Sequence, residues 1–167
     1  SVHPCFPLAY PPTLAPSQTK AKGDHRNRAA PLVPLIAEMM VFDNATSLAF
    51  WTGLLCFQIG FHRPAQKLAC LSPPDGAQLM VYQRDGVWET GLMEPPFGRG
   101  AVIQIRVADV TTMWEMVQMT NHPAYVPLRE KWRDWGDCHG GQRGFLQQHP
   151  DGYLIVLAQR IGTRPQG

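Results

Sequence analysis

The chain carries one sequence pattern twice, and this duplication restricts its fold more than any other feature. Residues 36–43 and 102–109 each have the alternating pattern of a strand, end in Val-x-Asp and run into a helix-like stretch. The turn Pro-Asp-Gly, at 74–76 and again at 150–152, precedes an apolar run in both halves. Two copies of this pattern in one chain predict a fold built from two similar modules.

Each copy is predicted to contain one helix and four strands in the order β-α-β-β-β. In the first copy Asp43 and Asn44 are suited to cap a helix, because their side-chain oxygens accept hydrogen bonds from free backbone N–H groups. The charged stretch 129–135 shows neither a helix nor a strand period and is predicted to be a loop. The predicted helices span about 45–55 and 111–120, and the predicted strands lie at 35–42, 57–61, 68–71, 78–83, 102–107, 125–128, 144–148 and 153–159.

These elements divide the chain into a domain and its extensions. Residues 1–33 are rich in proline and are predicted to form a flexible arm, either a dispensable extension or a segment that reaches over a partner subunit. Residues 34–162 are predicted to be a single domain of two modules, followed by a tail over 163–167. The modules cover about 34–84 and 101–161, with a connector over 85–100 that is rich in glycine and proline.

Charge and composition limit the partners. The 167 residues are 44% apolar, which is enough to build one core. The formal charge of +2 comes from residues 1–30, which carry a net +3, while the rest of the chain has eleven basic and twelve acidic side chains. A nucleic-acid-binding protein needs a clustered basic face, so no nucleic-acid partner is predicted.

The cysteines and apolar runs bear on location. Cys5, Cys56, Cys70 and Cys138 show no metal-ligand spacing and are predicted to be reduced, mostly buried thiols. No apolar run approaches the length of about 18 residues that a membrane helix needs, so no membrane partner is predicted. The N-terminal residues lack the pattern of a secretory signal. These features predict a cytoplasmic protein.

Two motifs carry a resemblance to a known family. The string Val-x-Asp-x-x-x-Ser-Leu-Ala-Phe-Trp over 41–51 resembles the first-helix signature of the vicinal oxygen chelate superfamily, which includes glyoxalase I, extradiol dioxygenases and bleomycin resistance proteins. Pro-Asp-Gly-Tyr over 150–153 resembles the closing turn of that superfamily, and the connector with Gly-Gln-Arg at 141–143 is similar to its bleomycin resistance branch. The resemblance implies an α+β fold in which paired βαβββ modules form a curved mixed sheet around a cup, commonly in a homodimer.

The resemblance also implies where a metal would be held. Enzymes of the superfamily use a histidine on the first strand and a glutamate on the fourth strand of each module. The matching positions here are Ile36 and Val102 for histidine, and Met80 and Val156 for glutamate. A divalent cation requires imidazole, carboxylate or thiolate donors, which these four side chains lack. The sequence therefore predicts neither a metal nor another cofactor, and no catalytic residue.

Strand alternation predicts which side chains line the cup, because successive side chains on a strand point to opposite faces. Residues 37, 39 and 41 should pack on the helices, as should 103, 105 and 107. A mostly apolar cup with a few polar groups suits a small-molecule ligand, whereas an ion pair between Glu38 and Arg106 is the structural alternative. Large rings on polar loops also suit planar ligands. The predicted ligand-binding residues are Glu38, Met40, Tyr82, Trp88, Gln104, Arg106 and Trp132.

Three functional hypotheses follow. The first is a metal-independent binding protein that sequesters an amphipathic or aromatic small molecule, a class that includes antibiotics, in a cup at a homodimer interface. The second is a metal-dependent lyase or dioxygenase of the same superfamily whose ligands lie at other positions. The third is a subunit or regulatory module whose cup is filled by its own side chains. The first is favoured because all four metal positions are apolar, so an enzymatic role is the less favoured one.

Overall fold

The computed structural model describes residues 33–73 and 76–165. The predicted arm, apart from residue 33, lies outside these residues, as do Cys5 and the last two residues of the predicted tail. Among the helices that the structure describes, none is both long enough and apolar enough to cross a membrane.

The first module has the predicted order of elements. Asp43 caps its helix by accepting a hydrogen bond of 2.7 Å from the backbone N–H of Thr46. The helix begins as α1 (Asn44–Leu48) and continues as a π-helical segment, Ala49–Leu54. The strands are β1 (Ala37–Val41), β2 (Gln58–Arg63), β3 (Leu68–Ser72) and β4 (Leu79–Gln83). They form a sheet in the order β1-β4-β3-β2, in which only the pair β1 and β4 is parallel.

The second module repeats this topology. Asp109 caps α2 (Val110–Gln118) by accepting hydrogen bonds of 3.1 Å from the backbone N–H groups of Thr111 and Thr112. The strands are β5 (Val102–Arg106), β6 (Val126–Asp134), β7 (Cys138–Gln148) and β8 (Leu154–Pro165), in the order β5-β8-β7-β6 with β5 and β8 parallel. The predicted α+β fold of paired βαβββ modules is confirmed.

One core joins the helices to one face of each sheet, which we call the helix face. From the first module, Met39 and Val41 pack there with the helix residues Phe50 and Trp51. The second module adds side chains of the same kind from its own strands and helix: Ile105, Val107, Val110, Val117, Phe145, Ile155 and Leu157. The alternation of β1 and β5 therefore follows the predicted parity, and the helices that the structure describes do not pack on the opposite face of each sheet, the cup face.

Polar contacts tie the two modules together. The Tyr153 hydroxyl donates a hydrogen bond of 2.8 Å to the backbone oxygen of Met40 on β1. The Asp151 carboxylate accepts one of 3.1 Å from the backbone N–H of Phe42. The turn at residues 150–152 of the second module therefore holds the end of the first strand of the first module.

The structure corrects three predictions. The stretch 129–135 is not a loop, because β6 runs through it to Asp134. Strand β8 continues to Pro165, so residues 163–165 are strand rather than tail. Cys70 and Cys138 are free thiols, but Cys56 is disulfide-bonded, so the prediction that all the cysteines are reduced is wrong.

Candidate functional site

The cup face of the first sheet carries three of the predicted ligand-binding residues. In the parallel pair of β1 and β4, Glu38 lies opposite Met80 and Met40 lies opposite Tyr82. Both methionines are buried, Tyr82 is half-buried and Glu38 is exposed. Burial raises the pKa of Tyr82, and the Glu38 carboxylate raises it further. The phenol is therefore neutral near pH 7 and retains its O–H donor.

The cup face of the second sheet carries the equivalent positions. Gln104 lies opposite Val156 and Arg106 lies opposite Ala158, as Glu38 and Met40 lie opposite their β4 partners in the first sheet. Gln104 and Arg106 are both exposed. Within the described part of the chain, no ion pair joins Glu38 to Arg106. An ion pair between Glu38 and Arg106 within one chain, the structural alternative to ligand binding, is therefore not supported.

A groove of about 140 Å³ lies on this second cup face. Apolar side chains and a glycine form its floor, and amides and cations surround them. We define the groove by the residues Gln104, Arg129, Lys131, Arg133, Gln142, Gly144, Leu146 and Val156.

The three cations of the groove were not predicted. Arg129, Lys131 and Arg133 stand at every second position of β6, so their side chains share one face of the strand. The signal was present as basic residues at i, i+2 and i+4. It was missed because the intervening Glu130 and Trp132 do not form a continuous apolar face, which a strand period would require.

The two predicted tryptophans do not join the groove. Trp132 lies on the opposite face of β6, where its ring contacts Gly141 and lies under the Arg164 guanidinium, 4.1 Å from the ring centre. Trp88 is on the connector and is 82% exposed. In this chain Trp135, at the end of the β6–β7 hairpin, is the indole that approaches the cup face, because it lies against Gly140 and Arg160.

The donor set for a metal does not fit. Met80 and Val156 lie on the cup faces and offer only a thioether and an alkyl group, and Ile36 and Val102 precede and begin the first strands of the two modules. Within residues 33–73 and 76–165, no group of three or more His, Cys, Asp or Glu side chains could hold a metal ion.

A second polar cluster lies in the core and resembles a Ser-His-Asp triad. Ser47 Oγ is 2.9 Å from His149 Nε2, and the backbone N–H of Asp151 donates a hydrogen bond of 3.1 Å to His149 Nδ1. Since Nδ1 accepts this bond, the proton of the neutral ring is on Nε2 and is donated to Ser47. His149 therefore cannot act as a base toward Ser47, and Ser47 is fully buried. The cluster is an internal contact between modules.

Solved structures with the same architecture identify the fold. TioX from Micromonospora sp. ML1 is 16% identical with a TM-score of 0.57, covering 76% of this chain and 98% of TioX. The chain has the glyoxalase/bleomycin resistance protein/dioxygenase fold. Two proteins described by that name agree: one from Nocardioides (18% identity, TM-score 0.53, 85% of this chain and 93% of the other) and one from Alicyclobacillus acidocaldarius (15%, 0.53, 76% and 90%). No protein-family model and no curated protein matches the chain.

Proposed function

We propose that this protein binds a small amphipathic molecule on its cup faces without a metal ion, as a binding protein of the bleomycin resistance type. The observation that carries the proposal is the set of apolar side chains at the four metal positions, two of which, Met80 and Val156, lie on the cup faces. A site with apolar walls and a few oriented polar groups is typical of small-molecule binding. Sequestration requires no reacting group, which agrees with the side chains available.

The charge of the groove restricts the ligand. Bleomycin is a cationic drug, and Arg129, Lys131 and Arg133 would repel a cation placed in the groove. We therefore propose sequestration as the mode of action, with a ligand other than bleomycin.

We place the complete cup at the interface of a homodimer. Each sheet ends in edge strands, β1 and β2 in the first and β5 and β6 in the second, and exposed edges favour association with another copy. Val102, at the start of β5, is 55% exposed although it is apolar. A second copy would cover such surface.

The alternative is a metal-dependent lyase or dioxygenase with ligands at other positions. Among the predicted ligand-binding residues, Glu38, Tyr82 and Gln104 have oxygen donors, and Glu38 and Gln104 stand on different modules. This set is poor in the imidazole and carboxylate donors that such enzymes use.

Two measurements on the purified 167-residue chain test the proposal. Titration calorimetry against a broad panel of toxic aromatic and amphipathic compounds should find saturable binding near one ligand per cup, with no turnover of the bound compound. Elemental analysis after dialysis should find less than one tenth of a metal ion per chain. Stoichiometric iron, manganese, nickel or zinc would favour the enzyme, and no binding across the panel would reject sequestration.

A further inference from the structure

The groove on the second cup face has a concentrated positive charge. Its three cations, Arg129, Lys131 and Arg133, share one face of β6. The neighbouring Glu130 points to the opposite face, where it accepts a hydrogen bond of 3.0 Å from Arg143. Glu130 therefore does not neutralise the cations.

Two further cations face the same side. Arg106 stands on β5 next to Gln104, two positions along the strand, and Arg160 on β8 lies opposite Gln142, a residue of the groove. Among the described residues, none of the five cations is in an ion pair. Such a group of like charges repels itself, and an anion that binds there relieves the repulsion.

An indole lies beside the groove on the same sheet face. Trp135 folds back from the hairpin onto Gly140, where a Cβ atom would overlap the ring, so glycine is required for this packing. The Arg160 guanidinium lies 5.2 Å from the ring centre of Trp135. The indole remains 54% exposed and offers a free apolar surface beside the cations.

The floor of the groove is apolar. Leu146 on β7 and Val156 on β8 lie between the cationic strand β6 and Gln104 on β5, and Gln142 on β7 lies directly opposite Lys131. A ligand there would place an apolar body on the aliphatic floor and an anionic group against the guanidinium and ammonium groups, which bind carboxylate and phosphate through charge-assisted hydrogen bonds.

We infer that the ligand is a small organic anion: an aromatic or aliphatic body bearing a carboxylate, sulfonate or phosphate. This inference rests on the proposed function and specifies the ligand class of the same site. A small molecule is favoured over a polyanion because the groove has a volume of about 140 Å³ and its three lining cations occupy one short strand segment, Arg129 to Arg133.

A matched pair of fluorescent probes tests the charge requirement. 1-Anilinonaphthalene-8-sulfonate is an amphipathic anion, and N-phenyl-1-naphthylamine is the same ring system without the sulfonate. The whole 167-residue chain should bind the anion roughly tenfold more tightly than the neutral probe, the factor expected for one good charge-assisted contact. Raising the salt concentration from 0.05 to about 0.5 M should reduce the difference, because it shortens the screening length.

Substitutions locate the binding site of the anion. Arg129→Gln and Arg133→Gln should each weaken binding of the sulfonate about fivefold or more and leave the neutral probe unchanged. Arg99→Gln is the matched control, since Arg99 is an exposed cation on the connector and the change in charge is the same. Circular dichroism of each variant verifies that it is folded, which is expected because the substituted side chains are exposed.

The outcomes separate this inference from the proposed function. Equal affinity for both probes, or loss of affinity in Arg99→Gln as large as in the groove variants, overturns the anionic ligand while sequestration survives. Binding of neither probe counts against both. Displacement of the sulfonate by benzoate or phenyl phosphate supports the inference, and the two arms distinguish a carboxylate from a phosphate ligand. Displacement only by a single-stranded oligonucleotide overturns the small-molecule assignment.

Discussion

At the scale of single residues, His149 is a titratable group on which the contact between the modules depends. Its ring is 1% exposed, accepts a hydrogen bond from the Asp151 backbone and donates one to Ser47. Burial, and to a lesser extent His122, lowers the pKa of His149 to about 4 from its ordinary value of 6.5. Protonation would place a positive charge in the desolvated core, with the Asp151 carboxylate 3.8 Å from Nδ1.

We expect the stability of the fold to fall with acid through His149. In the unfolded chain His149 takes up a proton below pH 6.5, whereas in the folded chain it does so only near pH 4. The contribution of His149 to the free energy of unfolding is therefore fully present above pH 6.5 and is lost as pH falls toward 4. The loss between pH 7.5 and pH 4.5 should be about 2.5 kcal/mol. Urea unfolding of the native chain and of His149→Gln at the two pH values measures it.

The comparison with His149→Gln removes the contributions of other groups. Burial raises the pKa of Asp151, which acts in the opposite direction, and hydrogen bonds lower the pKa of Asp43 and Asp109, but all three are present in both proteins. The difference in unfolding free energy between native and variant chains should therefore shrink at pH 4.5. A difference that is the same at both pH values contradicts the assignment.

At the scale of elements, the sequence predicted the strands with one buried face and missed the extent of the others. Strand β1 alternates between core residues and the cup face, so its period was visible. Strand β6 is largely exposed on both faces along 129–134, and its alternation is between two kinds of polar surface. Polarity alone does not reveal such a strand, and the cations of the groove were missed for that reason.

Gly140 on β7 provides a test of how the hairpin shapes the groove. In Gly140→Ala the new methyl group should displace the Trp135 indole from the strand, with a loss of stability of about 1 kcal/mol for the lost ring packing and the contact with Arg160. The indole N–H signal of Trp135 in a proton–nitrogen NMR spectrum, assigned through Trp135→Phe, should shift strongly.

Gly91→Ala is the matched control for this substitution. Gly91 lies on the connector, where an added Cβ meets no atom within 4 Å, so the signal of Trp135 and the stability should both remain unchanged. An unshifted Trp135 signal in Gly140→Ala means that the indole does not lie against Gly140 in solution.

At the scale of the whole molecule, the internal repeat predicted the fold because each module is specified by local patterns. The contacts between modules were not predictable in the same way. The bond from Tyr153 to Met40 and that from Ser47 to His149 join residues 113 and 102 positions apart, and no local period marks such partners. The alternation of side chains along the strands predicted which residues lie on the cup faces: Glu38, Met40, Tyr82, Gln104 and Arg106. It did not predict the shape of the groove, which depends on the long β6–β7 hairpin.

The connector is where we expect a second copy to bind. Val87, Trp88 and Leu92 are 53%, 82% and 81% exposed, and neighbouring exposed apolar side chains mark interaction surfaces. Trp88 also has a φ of +65°, a conformation that tryptophan rarely adopts and that costs on the order of 1 kcal/mol or more. In a single chain this backbone conformation holds the indole in solvent. Burial of the indole in a dimer would offset the cost of the conformation.

Light scattering after gel filtration at micromolar concentration should give about twice the chain mass of 18.7 kDa for the native protein. Trp88→Ser and Leu92→Ser should shift the equilibrium to the monomer, because each removes an apolar side chain from the expected interface. Met119→Ser is the control, since Met119 is 83% exposed at the end of α2, away from the connector in sequence, and should leave the dimer intact. If the native protein is a monomer, the dimer interface must be removed from the proposed function. The groove would then have to bind its ligand within a single chain, to which all its residues belong.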